Sequence, residues 1–376
     1  MINSRLIDHT ARLKEQGLHR KRLSVYDDWL NFSSNDYLSL SLDSRISNAF
    51  QKGFADYPSG SGGSMVVCGY HGIHKELEQA FAKALKVDDA LLFSSGYAAN
   101  LAIITLLSQF ETHLLLDKAL HASFYDGLRL TNVRYTRYLH NNLQNLALKL
   151  QKRPSNPVVI TESVFSMSGQ MTNLHEMTTL CATHSADCLV DEAHAFGVWG
   201  REGLGAVVHY GLSQRHIPLR IIPLGKAFAA QGAVVAGSEE WIDALLQSAR
   251  SFIYSTAISP AFTYGLLETL TIIRKSDDKR RKLHQLIDYF QKACSHSPLK
   301  WVCSQTPVQQ LQLGCPHKAL HYAEVLRSKG IFCQAIREPT VTKKHTGLRI
   351  IINYHHNSDQ IDYLFSQLHQ IYESTY

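Results

Sequence analysis

The chain has 376 residues, of which 45% are hydrophobic and 19% charged, with a formal net charge of +6. That length exceeds what a single core usually supports and implies two domains. The basic residues are scattered, the tightest group being Arg20, Lys21 and Arg22, so the concentrated basic stripe of a nucleic-acid binder is excluded. No apolar run approaches the ~20 residues of a membrane span. Met1 to Leu23 lacks the apolar stretch of a signal peptide, which points to the cytoplasm. Seven cysteines, Cys68, Cys181, Cys188, Cys294, Cys303, Cys315 and Cys333, show no paired C-x-x-C spacing; they read as reduced core thiols.

In chain order, Leu6, Leu13 and Leu18 among polar neighbours predict an amphipathic helix ending near Gly17, then an extended stretch from Trp29 to Phe32. From about residue 45 to 270, short apolar runs alternate with helix-like runs, the pattern of a βαβ sheet covered on both faces. Strands are expected at Ala90 to Phe93, His113 to Leu116, Val158 to Thr161, Cys188 to Val190 and Arg220 to Leu224, and helices at His74 to Leu85 and Asn100 to Ser108. Two further helices, Ala261 to Lys275 and Lys279 to Ala293, lead into strands at Gln309 to Leu313 and Leu348 to Asn353. The expected division is an arm over 1–40, a large domain over 41–272 and a smaller α/β domain over 273–376.

In an open parallel sheet ligands sit beyond the carboxyl ends of the strands, so the first polar residues after each apolar run carry the information. After Phe93 come Ser94, Ser95, Gly96 and Tyr97, a helix start whose unpaired N–H groups suit a phosphate. Many βα turns carry glycine for steric reasons alone, so this signal is weak by itself. After Val190 come Asp191, Glu192, Ala193 and His194; a carboxylate at the lip of an apolar strand needs a cationic or donating partner, and an ordinary ion pair competes with a ligand site. A metal site is discounted, because no third ligand has suitable spacing and His175 and His184 stand on a separate helix-like stretch. After Leu224 come Gly225, Lys226 and Ala227. Apolar neighbours favour a partly desolvated amine, as carbonyl chemistry requires. No phosphate-binding G-x-x-x-x-G-K-[ST], dinucleotide fingerprint or G-x-S-x-G elbow occurs. A ligand with a phosphate, a protonatable ring nitrogen and an aldehyde would use all three sites, and pyridoxal phosphate has all three.

Eight ordered segments resemble the α-oxoamine synthase family of fold-type I pyridoxal-phosphate enzymes. They are Asn31 to Leu38, Gly60 to Ser64 with Gly69, Tyr70 and His74, Ser94 to Asn100, His121 to Ser123, Thr161 to Met167, Asp191 to His194, Gly225-Lys226, and Ile253 to Thr256. The resemblance implies a large domain with a mostly parallel seven-stranded sheet, a smaller C-terminal α/β domain and a homodimer with shared active sites. It implies that Lys226 links covalently to the cofactor, Asp191 meets the ring nitrogen, His121 stacks on the ring, and Ser166 and His194 contact its phenolic oxygen. Gly96 and Tyr97 lie at the phosphate, and Thr256 reaches the phosphate of the neighbouring subunit. Arg349 clamps the substrate carboxylate, while Asn35 and Arg20 line the acyl end.

A finer likeness rests on Tyr254 to Ala257, on Ala335 to Arg337 with Pro339 to Val341, and on the strand containing Arg349. It is to members that condense L-alanine with a pimeloyl thioester, carried on coenzyme A or acyl carrier protein, in biotin biosynthesis. Glycine-using members that make 2-amino-3-ketobutyrate or 5-aminolevulinate are the alternative, and a non-catalytic partner subunit is a rival of another class. One departure stands out: Pro223 occupies a position where the family usually has a phosphate-binding Ser or Thr, which predicts weaker cofactor retention.

Overall fold

A computed structural model describes residues 2–26 and 28–374. Its strands are β1 (Leu30–Asn31), β2 (Asp89–Phe93), β3 (His113–Asp117), β4 (Arg134–Tyr138), β5 (Pro157–Glu162), β6 (Asp187–Asp191), β7 (Leu219–Pro223), β8 (Ala233–Gly237), β9 (Val308–Gln312), β10 (Ile331–Phe332), β11 (Gln334–Ile336) and β12 (Gly347–Ile351). The chain divides into two compact units. The larger comprises Leu38–Phe165 and Met171–Arg280; the smaller comprises the described residues up to Tyr37, Ser166–Gln170 and the described residues from Arg281 onward. The N-terminal segment therefore groups with the C-terminal third, and the division falls after Arg280, beyond the Pro260–Arg274 helix.

The larger unit holds a seven-stranded sheet in the order β2-β8-β7-β6-β5-β3-β4. Only β8 runs antiparallel to its neighbours; β3 to β7 pair in parallel, so six strands aim their carboxyl ends at one edge. The inner strands are apolar on both faces because helices cover both. One such layer packs Leu115, Val159, Cys188 and Val190 against Leu146, Leu150, Leu174 and Met177, all at most 2% exposed. Each of these Leu and Met side chains contributes about 1.5–3 kcal/mol by leaving water.

Helices began earlier than the apolar pattern alone indicated. The Gly72–Leu85 helix opens two residues before His74, whose Nδ1 accepts the His71 N–H at 3.0 Å while Nε2 meets the Ile258 carbonyl at 2.7 Å. With both ring nitrogens engaged, His74 is a capping and tethering group. The Gly96–Leu107 helix packs on the Ala122–Arg129 helix, and a Cβ on Gly127 would lie 2.8 Å from Ile104 Cβ. Glycine at 127 thus allows the two helices that carry site residues to approach closely.

In the smaller unit β11, β12 and β9 form an antiparallel sheet in that order, and β1 pairs in parallel with β10. The Ile2–Glu15 helix forms where the leucine spacing predicts, and Gly17, at φ 67, ends it. None of its residues is buried, and Ile2, Leu6 and Ile7 are exposed. Among the cysteines only Cys181, Cys188 and Cys333 are buried; Cys68 and Cys303 are exposed. The expectation of core thiols therefore fails for most of the set, which lies on loops and helix surfaces. Among the described residues no helix is long and apolar enough to cross a membrane.

Candidate active site

The carboxyl edge of the large sheet collects the residues singled out from the sequence. Asp191, the last residue of β6, is 3% exposed. Its Oδ1 accepts the Ala193 N–H at 2.9 Å and its Oδ2 accepts Asn100 Nδ2 at 3.3 Å. Burial pushes its carboxyl above the ordinary range, opposed by those two donors and by neighbouring His121 and Lys226. Glu192, the next residue, makes the ion pair that the sequence left open. Its Oε1 accepts from Arg220 Nη2 at 2.7 Å and Nε at 3.1 Å, and its carboxylate also takes the Ala206 and Val207 N–H groups at 2.7 and 3.1 Å. The two adjacent acids thus separate into one saturated by a buried arginine and one held by neutral donors. His194 is buried.

Lys226 follows β7 in a tight turn closed by the Ala229 N–H on the Lys226 carbonyl at 2.8 Å and the Ala230 N–H on the Leu224 carbonyl at 3.0 Å. Leu224, Ala227 and Phe228 beside it are almost wholly buried, while Lys226 itself is half-buried and close enough to Asp191 for its charge to be felt there. At the end of β2, Ser95 caps the Gly96–Leu107 helix, its Oγ taking the Ala98 N–H and its carbonyl the Ala99 N–H, each at 3.1 Å. The amides of Gly96 and Tyr97 have no intrahelical acceptor. The Tyr97 hydroxyl donates to Asp126 at 2.7 Å. A Cβ on Gly96 would lie 2.8 Å from Pro223 Cγ, so the glycine has a steric role as well as open amides, and the proline supplies neither a hydroxyl nor an N–H there.

His121 immediately precedes the Ala122–Arg129 helix, and Asn100 and Ser123 link it to Asp191: Asn100 Nδ2 donates to Ser123 Oγ at 3.0 Å, and Ser123 Oγ lies 2.8 Å from His121 Nδ1. Sequence reasoning placed both residues in family signatures without assigning them a task, because the contacts join positions 23 and 91 residues apart. Thr256 is exposed and bridges Ser64 on the Gly60–Ser64 loop.

The smaller unit organises a separate cluster. Arg349 on β12 is 8% exposed; its Nε donates to the Ser166 carbonyl at 2.6 Å and its Nη2 to Asn35 Oδ1 at 2.9 Å. Tyr37 donates to the same Asn35 oxygen at 3.4 Å, and burial pushes its phenol up to about 12 against the pull of Arg349. Asn35 and Ser166 therefore hold the guanidinium in place. Arg20 is exposed and stands beside Arg337, whose Nη1 donates to the Gly17 carbonyl at 2.5 Å; burial and the charge of Arg20 both lower the Arg337 pKa.

The residues of the large unit fit pyridoxal phosphate on one structural ground above all: a buried carboxylate served by neutral donors suits a ring nitrogen that arrives with a proton. Open helix-start amides suit its phosphate and a half-buried lysine beside Asp191 its aldehyde. A cavity of about 340 Å³ lined by Leu106, Phe110, Pro157, Asp187, Glu240 and Trp241 contains none of these residues and lies at the strands' opposite ends.

Comparison with known proteins agrees. The architecture is that of fold-type I pyridoxal-phosphate transferases: the serine palmitoyltransferase of S. paucimobilis superposes with a TM-score of 0.91 at 23% identity over 98% of this chain and 97% of its own, a likeness of fold alone. The family model for aminotransferase class I and II matches residues 27–368, and the chain belongs to that family. An 8-amino-7-oxononanoate synthase of Hahella chejuensis is 37% identical over 96% of this chain and 94% of its own length. The crystal structure of 8-amino-7-oxononanoate synthase from Francisella tularensis is 31% identical, with a TM-score of 0.82, over 93% of this chain and 100% of its own.

Proposed function

We propose that this chain catalyses the decarboxylative condensation of L-alanine with a pimeloyl thioester to 8-amino-7-oxononanoate, a step of biotin biosynthesis, with pyridoxal phosphate as cofactor. The observation that carries this reading is the meeting of Lys226, Asp191 and the open amides of Gly96 and Tyr97 at one sheet edge, in a chain that matches such a synthase over 96% of its length. The cofactor, when bound, supplies an aldehyde that takes up the amino acid and a ring that withdraws electrons from its Cα.

Each residue then has a task. Gly96 and Tyr97, with Thr256 from a second copy of the chain, hold the phosphate, which makes a homodimer the working form. Asp191 keeps a proton on the ring nitrogen. His121 would pack on the ring, and Ser166 and His194 would serve its phenolic oxygen. Lys226 would hold the cofactor through its aldehyde, and the free Nζ would take the Cα proton of alanine. Arg349 grips the alanine carboxylate with two parallel N–H bonds, a task for a planar fork that Asn35 and the Ser166 carbonyl already orient. His121 donates to the thioester oxygen as charge develops there. Arg20 and the neighbouring Arg337 offer positive charge to the acyl donor, on coenzyme A or on acyl carrier protein, and a cytoplasmic setting supplies either.

Mass spectrometry of the product tests the reading. Alanine with pimeloyl-coenzyme A or pimeloyl-acyl carrier protein should yield the mass of 8-amino-7-oxononanoate with loss of carbon dioxide. Turnover only with glycine and a short acyl thioester would move the chain to the glycine-using branch.

A further inference from the structure

We propose that Ser123 and Asn100 are positioning residues that lock the His121 imidazole in a single tautomer, with its proton on Nε2. Three observations fix the direction of every hydrogen bond in the relay. The Ser123 backbone N–H, which can only donate, points at His121 Nδ1 at 3.4 Å; it shows that Nδ1 offers a lone pair, but a contact of that length is too weak to hold the tautomer without the hydroxyl. Ser123 Oγ, 2.8 Å from the same nitrogen, then donates its hydroxyl proton to it. The oxygen's own lone pair is occupied by Asn100 Nδ2 at 3.0 Å.

The Asn100 end is equally directed. The same Nδ2 donates its second proton to Asp191 Oδ2 at 3.3 Å. Turning the carboxamide over would aim its oxygen at a carboxylate, so Asp191 fixes the orientation of the amide. Asn100 Oδ1 is buried without a partner, a cost consistent with an orientation set by the Nδ2 side alone. Ser123, Asn100 and Asp191 are 0%, 2% and 3% exposed, which leaves little room for water to substitute in the chain. His121 itself is exposed. The ring nitrogen outside this relay is Nε2, and a neutral imidazole whose Nδ1 must accept has its proton there.

This inference rests on the reading of His121 as the group that donates to the substrate oxygen. An imidazole with the proton on Nδ1 would present an acceptor at Nε2 and lose that capacity. Ser123 and Asn100 would then act through His121 and touch neither cofactor nor substrate.

Long-range proton–nitrogen correlation spectra of protein labelled with nitrogen-15 histidine, with and without cofactor, test the proposal, the His121 signals being assigned by their loss in His121→Gln. The wild type should show one neutral form with Nε2 protonated. Ser123→Ala should show a mixture of tautomers, and Ser123→Thr should restore the single form. Kinetically, Ser123→Ala should lower kcat about tenfold, part of what a placed proton donor contributes, with the KM for alanine within about twofold and recovery in the Thr variant. Should Ser123→Ala not fold, Ser123→Cys keeps the volume, weakens the donor and gives the same spectral readout. A wild-type His121 with Nδ1 protonated, or a Ser123→Ala protein with the wild-type tautomer, would overturn the relay. A protein that shows the locked tautomer yet makes no product from alanine and pimeloyl thioester would instead count against the proposed function.

Discussion

Asp191 and Glu192 are chain neighbours, 3% and 0% exposed, yet their surroundings are opposite in kind. Glu192 faces Arg220, itself 2% exposed, and the guanidinium also donates to the Leu204 carbonyl at 2.6 Å. Both Glu192 oxygens and the Arg220 Nε and Nη2 are answered from within the protein, as a buried ion pair requires if its desolvation is to be offset. Asp191 accepts from an amide N–H and an asparagine, and burial raises its pKa against the pull of those donors and of neighbouring His121 and Lys226. A buried acid with a resident cation is architecture; one left with neutral donors is disposed to receive a cation from a ligand.

Exchanging each acid for its amide breaks the comparison in two different ways. Asp191→Asn should lower kcat by roughly 10³, comparable to the loss of a preorganised charge that acts in the transition state, while the melting temperature of the cofactor-free protein hardly changes. Glu192→Gln should cost about 3–5 kcal/mol of unfolding free energy in urea, because Arg220 is left buried without its counter-charge, and the surviving folded protein should keep a near-normal KM for alanine. Equal kinetic losses in both variants would erase the distinction.

Glu78 is a third buried acid and sharpens the comparison through pH. It is 4% exposed, accepts the Leu92 N–H and the Tyr70 hydroxyl at 2.8 Å each, and burial raises its pKa from 4.5 to about 7. The folded chain therefore holds a proton that the unfolded chain has released between pH 4.5 and 7, so stability falls as pH rises through that window. Glu78→Gln should remove up to about 3 kcal/mol of that fall, read as the difference between variant and wild-type urea curves at the two ends of the window. A constant offset between the curves would show that Glu78 does not titrate there.

The smallest effect belongs to Pro223, packed on Gly96 at the helix start. Pro223→Thr should tighten pyridoxal phosphate binding by about ten- to a hundredfold, the value of a single hydrogen bond to a charged group, measured by cofactor titration of the apoprotein. No tightening would mean that the helix-start amides already satisfy the phosphate.

Much of the fold was legible because inner strands of a covered parallel sheet are apolar throughout, so β2, β3, β5, β6 and β7 stood out. β4 did not: it is an edge strand with the sequence Arg134-Tyr135-Thr136-Arg137-Tyr138, largely exposed, with no apolar run to read. The first turns of the Gly72–Leu85 and Gly96–Leu107 helices lie ahead of the apolar runs by which His74 to Leu85 and Asn100 to Ser108 were read as helical. In the site, Lys226, Asp191 and the Gly96 helix start were singled out because polar residues and open amides after apolar runs must be answered by something, whereas His121 entered only through the family resemblance. Asn100 and Ser123 could not, because their meaning lies in contacts across the sheet edge. Asn35, expected at the acyl end, proved to accept from Arg349, a pairing of residues 314 apart that no local pattern encodes.

Borohydride reduction of the holoprotein, followed by digestion and peptide mass spectrometry, probes the attachment point itself. The account predicts the pyridoxyl mass on the peptide containing Lys226 and on no other lysine, with the label lost in Lys226→Ala along with turnover. Label on a different lysine, or none on protein that retains activity, would contradict it.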